Sequence, residues 1–389
     1  MIRILEDDPV TNAGTGSNLN LDGQVECDAS IMNGTTLGFG SVGAVSDFKN
    51  PISVATKILE EADQGPLSLG RIPPIMLVGS GVVGWVDTMG FTALDRVQPR
   101  LKIELYKEEI SKSKQDEAPE NIIEGSLVTK EALSRHLRFQ TMLQDANAKM
   151  NIDEAPVYPR NQSSDQEKQP QKRKPQNSAT THDSALLPSS PSKKREKKEE
   201  GEDESLLQDT VGAICVDALG RVAAGVSSGG IAMKFPGRVS EAAIYGAGCW
   251  AQDPAQESPG FACSMTGAGE QICKTLLART CMETLVYEEE EDITTAVNLT
   301  LDRFIKSPLL KNYDDRHVGF IAIKVCPAVM DDTSSNPEGI RRRAEFAFAH
   351  TTKTMGLAYM STRDSKPTTI LSQRKAETNK TVYTQMIKI

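Results

Sequence analysis

The sequence is short of the residues that build metal centres, disulfide frameworks and membrane spans. Among 389 residues there are four histidines and seven cysteines, and no cysteine pair has the C-x-x-C spacing. Such an odd, scattered set argues against a zinc site or a disulfide scaffold and fits a reducing compartment. The most apolar stretch, residues 72–86, is too short and too rich in proline and glycine to cross a bilayer. We therefore expect neither a bound metal nor a membrane partner.

Positive charges are outnumbered by negative ones, 44 to 53. The formal net charge is −9 and the isoelectric point is near 5.2, which argues against direct nucleic-acid binding by the whole surface. Residues 151–208 are nearly all polar, charged or proline, and this composition predicts a disordered linker. Within it, the basic runs 172–174 and 193–198 are compatible with nuclear import and equally with solvated linker charge.

The linker divides the chain into two parts. Residues 1–209 comprise a globular region (1–100), a charged helical region (101–150) and the linker, and residues 210–389 form the second part. Asn50 as N-cap and Pro51 as first helical residue predict a helix. In the second part we predict a hairpin from runs 210–216 and 221–227, helices over 270–287 and after the N-cap Asp292, and strands at 318–325, 344–350 and 355–360. Helices between strands indicate an α+β fold of packed layers.

The junction of linker and hairpin is the most informative feature of the chain. There the sequence Gln208-Asp209-Thr210-Val211-Gly212 passes from polar linker to apolar strand. If the Asp209–Thr210 bond breaks, Thr210 becomes a new N-terminus whose α-amine can act as the base for its own hydroxyl. The pattern therefore predicts an N-terminal threonine hydrolase, although an Asp-Thr pair can also simply open a strand after a loop.

Three further positions could serve such a site. Ser228, at the end of the second hairpin strand, could orient the new amine or hydroxyl, and Arg238 could hold a carboxylate bidentately. Thr266-Gly267, at a helix start, could receive an oxyanion. Each position also has a purely structural interpretation. Ser228 could be a hydrogen-bonded core hydroxyl, Arg238 could form a surface ion pair, and Thr266-Gly267 could be only a glycine-rich turn.

One glycine-rich motif is rejected on its context. Residues 79–84 spell G-x-G-x-x-G after an apolar run. A dinucleotide site also needs a βαβ unit whose second strand ends in an acid, and the region near Glu104 shows no such strand. We expect no cofactor.

Ordered blocks of sequence resemble a known family. The blocks are Thr11–Asn20, Glu26–Gly34, Gly70–Pro74, Asp209–Ala213, Val226–Gly230, Pro236–Val239 and Tyr245–Ala251. Over most of residues 1–95 and 209–360, the chain resembles the threonine aspartases of the type 2 asparaginase group of N-terminal nucleophile hydrolases.

The resemblance implies an αββα sandwich that cuts itself after Asp209. It implies that Thr210 is the nucleophile, that Ser228 supports it and that Arg238 holds the aspartyl side chain of the substrate. Plain asparaginases usually place glycine before the nucleophile, so Asp209 favours an endopeptidase that cuts after aspartate.

The resemblance also implies surroundings and partners. Asn12 would lie beside the nucleophile, and Thr266-Gly267 would form the oxyanion hole. The substrates would be nuclear regulators of transcription, and the protein would reside in the nucleus and cytoplasm. The αβ unit, which consists of an α part ending at Asp209 and a β part beginning at Thr210, would form dimers.

Two departures from the family keep alternatives open. Glu241 stands where plain asparaginases carry an acid for the free α-amino group, so activity on small substrates remains an alternative. The family's first strand, first helix and a basic substrate-holding residue would precede Met1, so we expect a truncated chain. A third alternative is therefore a nuclear binding protein without hydrolase activity.

Overall fold

The computed structural model describes residues 1–91, 94, 96–97, 127–149, 210–255, 258–286, 292–327, 343–374 and 383–388, with the backbone alone over 147–149 and 383–388. The chain divides into two compact units. The first unit comprises Met1–Thr141 and Leu206–Ile389, and the second is Met142–Ser205, whose described part is the end of a helix. The predicted linker, 151–208, lies outside the described residues.

Both parts of the chain contribute to the first sheet. Its strands are β1 (Cys27–Asn33), β2 (Phe39–Val45), β3 (Met76–Val78), β4 (Val211–Val216) and β5 (Val222–Ser228), in the order β3-β2-β1-β5-β4. β2 and β3 are parallel, and the other neighbours are antiparallel. β1 pairs with β5 so that Asp28 lies opposite Ser228. The predicted hairpin is confirmed as β4 and β5.

The remaining strands form a second sheet and a ribbon. They are β6 (Cys249–Gln252), β7 (Gly260–Gly267), β8 (Val318–Val325), β9 (Ala344–His350), β10 (Thr354–Tyr359), β11 (Thr368–Gln373) and β12 (Tyr383–Lys388). The second sheet is antiparallel with the order β12-β9-β8-β7-β6, and β10 pairs with β11 alone. The three strands predicted after residue 317 are confirmed as β8, β9 and β10.

Local capping signals place the helices. The helices are α1 (Ile2–Asp7), α2 (Pro51–Asp63), α3 (Gly81–Thr88), α4 (Lys130–Lys149), α5 (Gly269–Thr275), α6 (Leu277–Val286) and α7 (Ile293–Lys306). Pro51 begins α2 after the N-cap Asn50, as predicted. Asp292 caps α7, since its carboxylate accepts a hydrogen bond from the Thr295 N–H at 3.2 Å.

One predicted helix is wrong as a single element. The segment 270–287 was expected to be continuous, but Leu276 has φ +43° and separates α5 from α6. This left-handed conformation ends α5 after two turns, and the Leu276 N–H donates to the Cys273 carbonyl to close it. The next helix, α6, packs on β6 and β7.

The layers form an αββα sandwich, as the family resemblance implies. α2 packs on β1 and β2, while α6 and α7 pack on the second sheet. Between the sheets, apolar side chains from β1, β2 and β5, such as Met32, Phe39 and Val226, join those of β7 and β8 in one buried cluster. A second cluster lies between α2 and the first sheet, with Ile58 and Val42 fully buried. In the described part of the chain, no helix is both long and apolar enough to cross a membrane.

Candidate active site

The predicted nucleophile lies at the start of β4. β4 pairs with β5 with Val211 opposite Ser227, and this register brings Thr210 beside Ser228. The Thr210 Oγ1 lies 2.9 Å from the Ser228 Oγ. The Gly230 N–H donates to the Ser228 Oγ at 3.0 Å, which fixes that hydroxyl in place. The structure therefore brings together the two hydroxyls that the sequence singled out.

Glu241 is the second group in contact with the predicted nucleophile. Its Oε1 accepts a hydrogen bond from the Thr210 Oγ1 at 3.2 Å. Glu241 opens a short 3-10 helix whose N-cap, Ser240, donates its N–H to the buried Asp28 carboxylate at 2.7 Å. Only 2 % of Glu241 is exposed, and burial raises its pKa from 4.5 to about 7 against the opposing effect of Arg238. The carboxyl can therefore take up or release a proton near neutral pH.

Arg238 is held by a residue that the sequence analysis did not single out. Its Nε and Nη2 donate to one carboxylate oxygen of Glu270, at 2.9 and 2.7 Å. The Arg238 side chain is only 15 % exposed, and its Nη1 is buried with no hydrogen-bond partner among the described residues. A buried guanidinium with an unused donor is suited to an anionic ligand.

These side chains share one pocket of about 200 Å³. It is lined by Thr210, Ser228, Arg238, Glu241, Asn12 and Gly267, together with Asn18, Phe139, Gly230, Ile231, Ala232, Ala268, Gly269, His317 and Thr352. The Asn12 and Asn18 side-chain amides both donate to the Gly230 carbonyl at 2.9 Å. Asn12 thus lies in the pocket of the nucleophile and holds the turn that positions Ser228.

Thr266 and Gly267 lie at the end of β7, in the second sheet. Gly267 has φ +134°, and a side chain there would collide with the His317 carbonyl, so the position requires glycine. The Thr266 Oγ1 is buried and makes no hydrogen bond to the described residues. An unused hydroxyl beside a glycine turn is suited to receive a developing oxyanion.

A second, larger cavity also reaches Thr210. Its volume is about 640 Å³, and its walls include Met1 and Leu5 of α1, Met265 of β7 and Met355 of β10. Thr210 lines both cavities, and Thr266 lines the larger one.

Sequence reasoning missed several residues of the pocket. Gly269 opens α5, Asn18 follows the predicted Asn12, and Phe139 comes from α4. Glu270 does not line the pocket but holds Arg238, which does. Glu270 follows the candidate oxyanion residue Gly267 by three positions, so its acidic side chain was visible in the sequence. Its pairing with Arg238 was not, because the two residues are 32 positions apart and no local sequence pattern specifies the contact.

The arrangement places a hydroxyl between two oppositely charged side chains, which suits attack on a carbonyl group. Thr210 supplies a hydroxyl, Arg238 a positive charge and Glu241 a negative charge, all facing one small pocket. Within the described residues, no group of three histidine, cysteine or carboxylate side chains could hold a metal ion.

Comparison with known proteins gives the class. The family model described as asparaginase, Asparaginase_2, matches residues 1–141 and 138–370. The chain therefore belongs to this asparaginase family of N-terminal nucleophile hydrolases.

The names of individual relatives give two activities, L-asparaginase and isoaspartyl peptidase. The chain is similar to a plant-type L-asparaginase of Pyrococcus abyssi, with 29 % identity over 94 % of this chain and 83 % of the relative. It is also similar to the isoaspartyl peptidase of Escherichia coli, with 26 % identity over 71 % of this chain and 58 % of the relative. An isoaspartyl peptidase/L-asparaginase of Mus musculus is 28 % identical over 79 % of this chain and 64 % of the relative. These relatives support the family rather than the threonine aspartases specifically.

Proposed function

We propose that the protein is an N-terminal threonine hydrolase that acts on small β-amides of aspartate, namely asparagine and β-aspartyl peptides. The observation that carries the proposal is the joint placement of Arg238 and Glu241 in the pocket of Thr210. A free amino acid has one carboxylate and one ammonium on the same carbon, and these two side chains are complementary to that pair. The names of the relatives favour the same substrate class.

Self-cleavage between Asp209 and Thr210 comes first. The free α-amine of Thr210 then accepts the proton of its own hydroxyl, and the Oγ1 attacks the side-chain carbonyl of the substrate. Thr266 and Gly267 stabilise the developing oxyanion, and the amine departs with the proton. Water releases aspartate from the resulting ester in the second half of the reaction. Ser228, 2.9 Å from the Thr210 Oγ1, keeps the hydroxyl oriented throughout.

A second candidate function is an endopeptidase that cuts proteins after aspartate. The observation in its favour is Asp209 itself, because the self-cleavage site would then be the first substrate. In this reading Arg238 holds the aspartyl side chain. Nuclear substrates, nuclear and cytoplasmic residence and a dimer of the αβ unit are predictions that belong to this candidate.

The test starts from the full chain. We expect purified protein to split into two fragments, the smaller beginning Thr-Val-Gly-Ala, and Thr210→Ala to remain whole when intact mass is followed over time. The split protein is then given L-asparagine, a β-aspartyl dipeptide and an α-linked peptide with an internal aspartate. We expect release of ammonia and of the dipeptide's second residue, with the α-linked peptide left intact.

The variant Arg238→Ala tests the contribution of the guanidinium to substrate recognition. Loss of a charge-assisted pair in a desolvated site should cost on the order of 2–4 kcal/mol in kcat/KM. Arg221→Ala, which removes an exposed ion pair with Asp217 outside the pocket, is the control and should leave kcat/KM unchanged. Faster cleavage of the α-linked peptide would favour the endopeptidase, and no turnover by fully split protein would favour the non-catalytic alternative.

A further inference from the structure

Self-cleavage poses a chemical problem that turnover does not. After cleavage, the α-amine of Thr210 is the base for its own hydroxyl. Before cleavage that nitrogen belongs to the amide with Asp209, and an amide nitrogen is not a base. The uncut chain therefore needs another group to accept the hydroxyl proton when the Oγ1 attacks the Asp209 carbonyl.

Among the residues that the structure describes, two side chains contact the Thr210 hydroxyl, and one of these two is suited to accept its proton. The Oγ1 lies 2.9 Å from the Ser228 Oγ and 3.2 Å from the Glu241 Oε1. The Thr210 hydroxyl carries a single hydrogen and can donate it to either acceptor, the Ser228 Oγ or the Glu241 Oε1. The Ser228 hydroxyl, which also accepts the Gly230 N–H at 3.0 Å, is not a base near neutral pH, whereas a carboxylate is. Proton transfer from the Thr210 hydroxyl therefore goes to Glu241.

The surroundings of Glu241 prepare it for this task. Three charged or titratable groups face it from separate elements: Arg238 from the preceding loop, Asp28 from β1 and Cys273 from α5. Burial raises its pKa to about 7, so the carboxyl changes charge near neutral pH, where a general base is most effective. The Asp28 carboxylate anchors the neighbouring Ser240 N–H at 2.7 Å and fixes the carboxyl beside the nucleophile.

We propose that Glu241 is the general base for cleavage of the Asp209–Thr210 bond, a role that passes to the α-amine of Thr210 once that amine is free. The proposal rests on the proposed function, since it presupposes self-cleavage at this bond. Glu241 thus has two successive duties, first toward the hydroxyl of Thr210 and then toward the ammonium group of the substrate.

The step balances in atoms and charge. Glu241 takes the hydrogen of the Thr210 Oγ1 as the oxygen bonds to the Asp209 carbonyl carbon. The carbon–nitrogen bond breaks, and the proton held by Glu241 passes to the departing Thr210 nitrogen. An ester then joins Asp209 to the Thr210 Oγ1. Water hydrolyses this ester to a free Asp209 carboxylate and a free Thr210 hydroxyl.

The experiment measures the first-order rate of splitting of the full chain from pH 5 to pH 8.5 by intact mass. We expect the wild-type rate to rise with pH and level off above an inflection near 7, because only ionised Glu241 accepts the proton. Glu241→Gln, which keeps the shape and loses the base, should slow splitting by about 100-fold or more and lose the inflection. Glu6→Gln is the matched control, because Glu6 is also a buried carboxyl with a pKa near 7 but lies outside the pocket.

Chemical rescue separates a base from a merely structural carboxyl. Glu241→Ala leaves a space beside Thr210, and added formate should restore part of its splitting rate in proportion to concentration. Thr210→Ala should not respond to formate.

The outcomes distinguish this inference from the function on which it rests. A wild-type rate that does not vary with pH, or Glu241→Gln that splits within threefold of wild type, overturns the role of Glu241 and leaves the hydrolase intact. Splitting of Thr210→Ala, or a fragment with another N-terminus, overturns the proposed function itself. If the Glu241 variants do not fold, the proposal is still overturned by a wild-type rate without an inflection, or by loss of the inflection in Glu6→Gln, which would assign it to Glu6.

Discussion

Gly269 packs directly against Glu241. A Cβ at position 269 would lie 2.5 Å from the Glu241 Oε2 and 2.8 Å from the Arg238 Nη2. Neither side chain can move aside easily, because Glu241 is buried and Arg238 is hydrogen-bonded to Glu270. The first residue of α5 therefore sets the distance between the two charged groups of the pocket.

Gly269→Ala should impair self-cleavage and turnover together. The added methyl group must displace Glu241 or Arg238, and a misplacement of about 1 Å in an active site can cost on the order of 100-fold in rate. Splitting rate and kcat/KM for asparagine measure the effect. Gly84→Ala is the control, since nothing lies within 4 Å of its Cβ position in α3, and it should leave both rates unchanged. Normal rates in Gly269→Ala would show that the pocket yields at this point.

Removal of the Glu270 carboxylate should weaken substrate binding. Glu270→Ala frees the Arg238 guanidinium to rotate, so KM should rise several-fold with little change in kcat. The effect is small because Glu270 is 47 % exposed, and partly solvated ion pairs contribute about 1 kcal/mol or less. Glu270→Gln keeps an acceptor oxygen for Arg238 and should have a smaller effect on KM. Equal KM values in all three proteins would contradict the positioning role.

Glu6 should make the fold less stable as the pH rises. This carboxyl, buried between α1, α2 and β5, accepts hydrogen bonds from the Ser227 hydroxyl at 2.6 Å and the Ile52 N–H at 3.0 Å. Burial raises its pKa from 4.5 to about 7, so the folded state holds the proton more tightly than the unfolded chain. Stability is therefore lost as the pH rises from about 4.5 to about 7, by at most about 1.4 kcal/mol per pH unit for one group.

Urea unfolding at several pH values measures this slope in a Thr210→Ala background, where the chain stays whole. Glu6→Gln should flatten the slope relative to its Thr210→Ala parent, because glutamine does not ionise. Parallel slopes in the two proteins would show that Glu6 does not titrate in this range.

Asp28→Asn should shift the pH profile of self-cleavage to lower pH. The negative charge of Asp28 raises the pKa of Glu241, so its removal favours the ionised form of Glu241. The inflection in splitting rate should therefore fall below that of the wild type. Thermal stability should also fall, because an amide N–H would face one of the backbone N–H donors of Ala44 and Ser240. An unchanged inflection pH would show that the charge of Asp28 does not influence the pKa of Glu241.

Local chemistry made much of the fold predictable from the sequence. Asn50 and Pro51 mark the start of α2, Asp292 caps α7, and Asp217 closes the hairpin turn by accepting the N–H groups of Leu219 and Arg221 at 2.9 Å. These interactions span a few residues, so their signals are written in short segments of sequence.

The rest depends on distant contacts. The pairing of Glu270 with Arg238 and that of Asn12 with Gly230 join residues far apart in the chain, and no local pattern specifies them. The break at Leu276 escaped prediction because leucine is a good helix former and the apolar spacing continues through it. Thr210, Ser228 and Arg238 were candidates from their sequence context, and the family resemblance implied their roles, whereas their geometry came only from the fold.

Thr210, the proposed nucleophile, and the glycine turn at Gly267 belong to different sheets. Thr210 precedes β4 of the first sheet, while Gly267 ends β7 of the second. The two sheets approach so closely at Gly212 that a side chain there would collide with Ser264, whose hydroxyl donates to the Gly225 carbonyl across the gap at 3.0 Å. The spacing between the two sheets therefore sets the distance between Thr210 and Gly267. Substitutions of buried apolar residues between the sheets would therefore change the reaction rate without touching the substrate, because they would move Thr210 relative to Gly267.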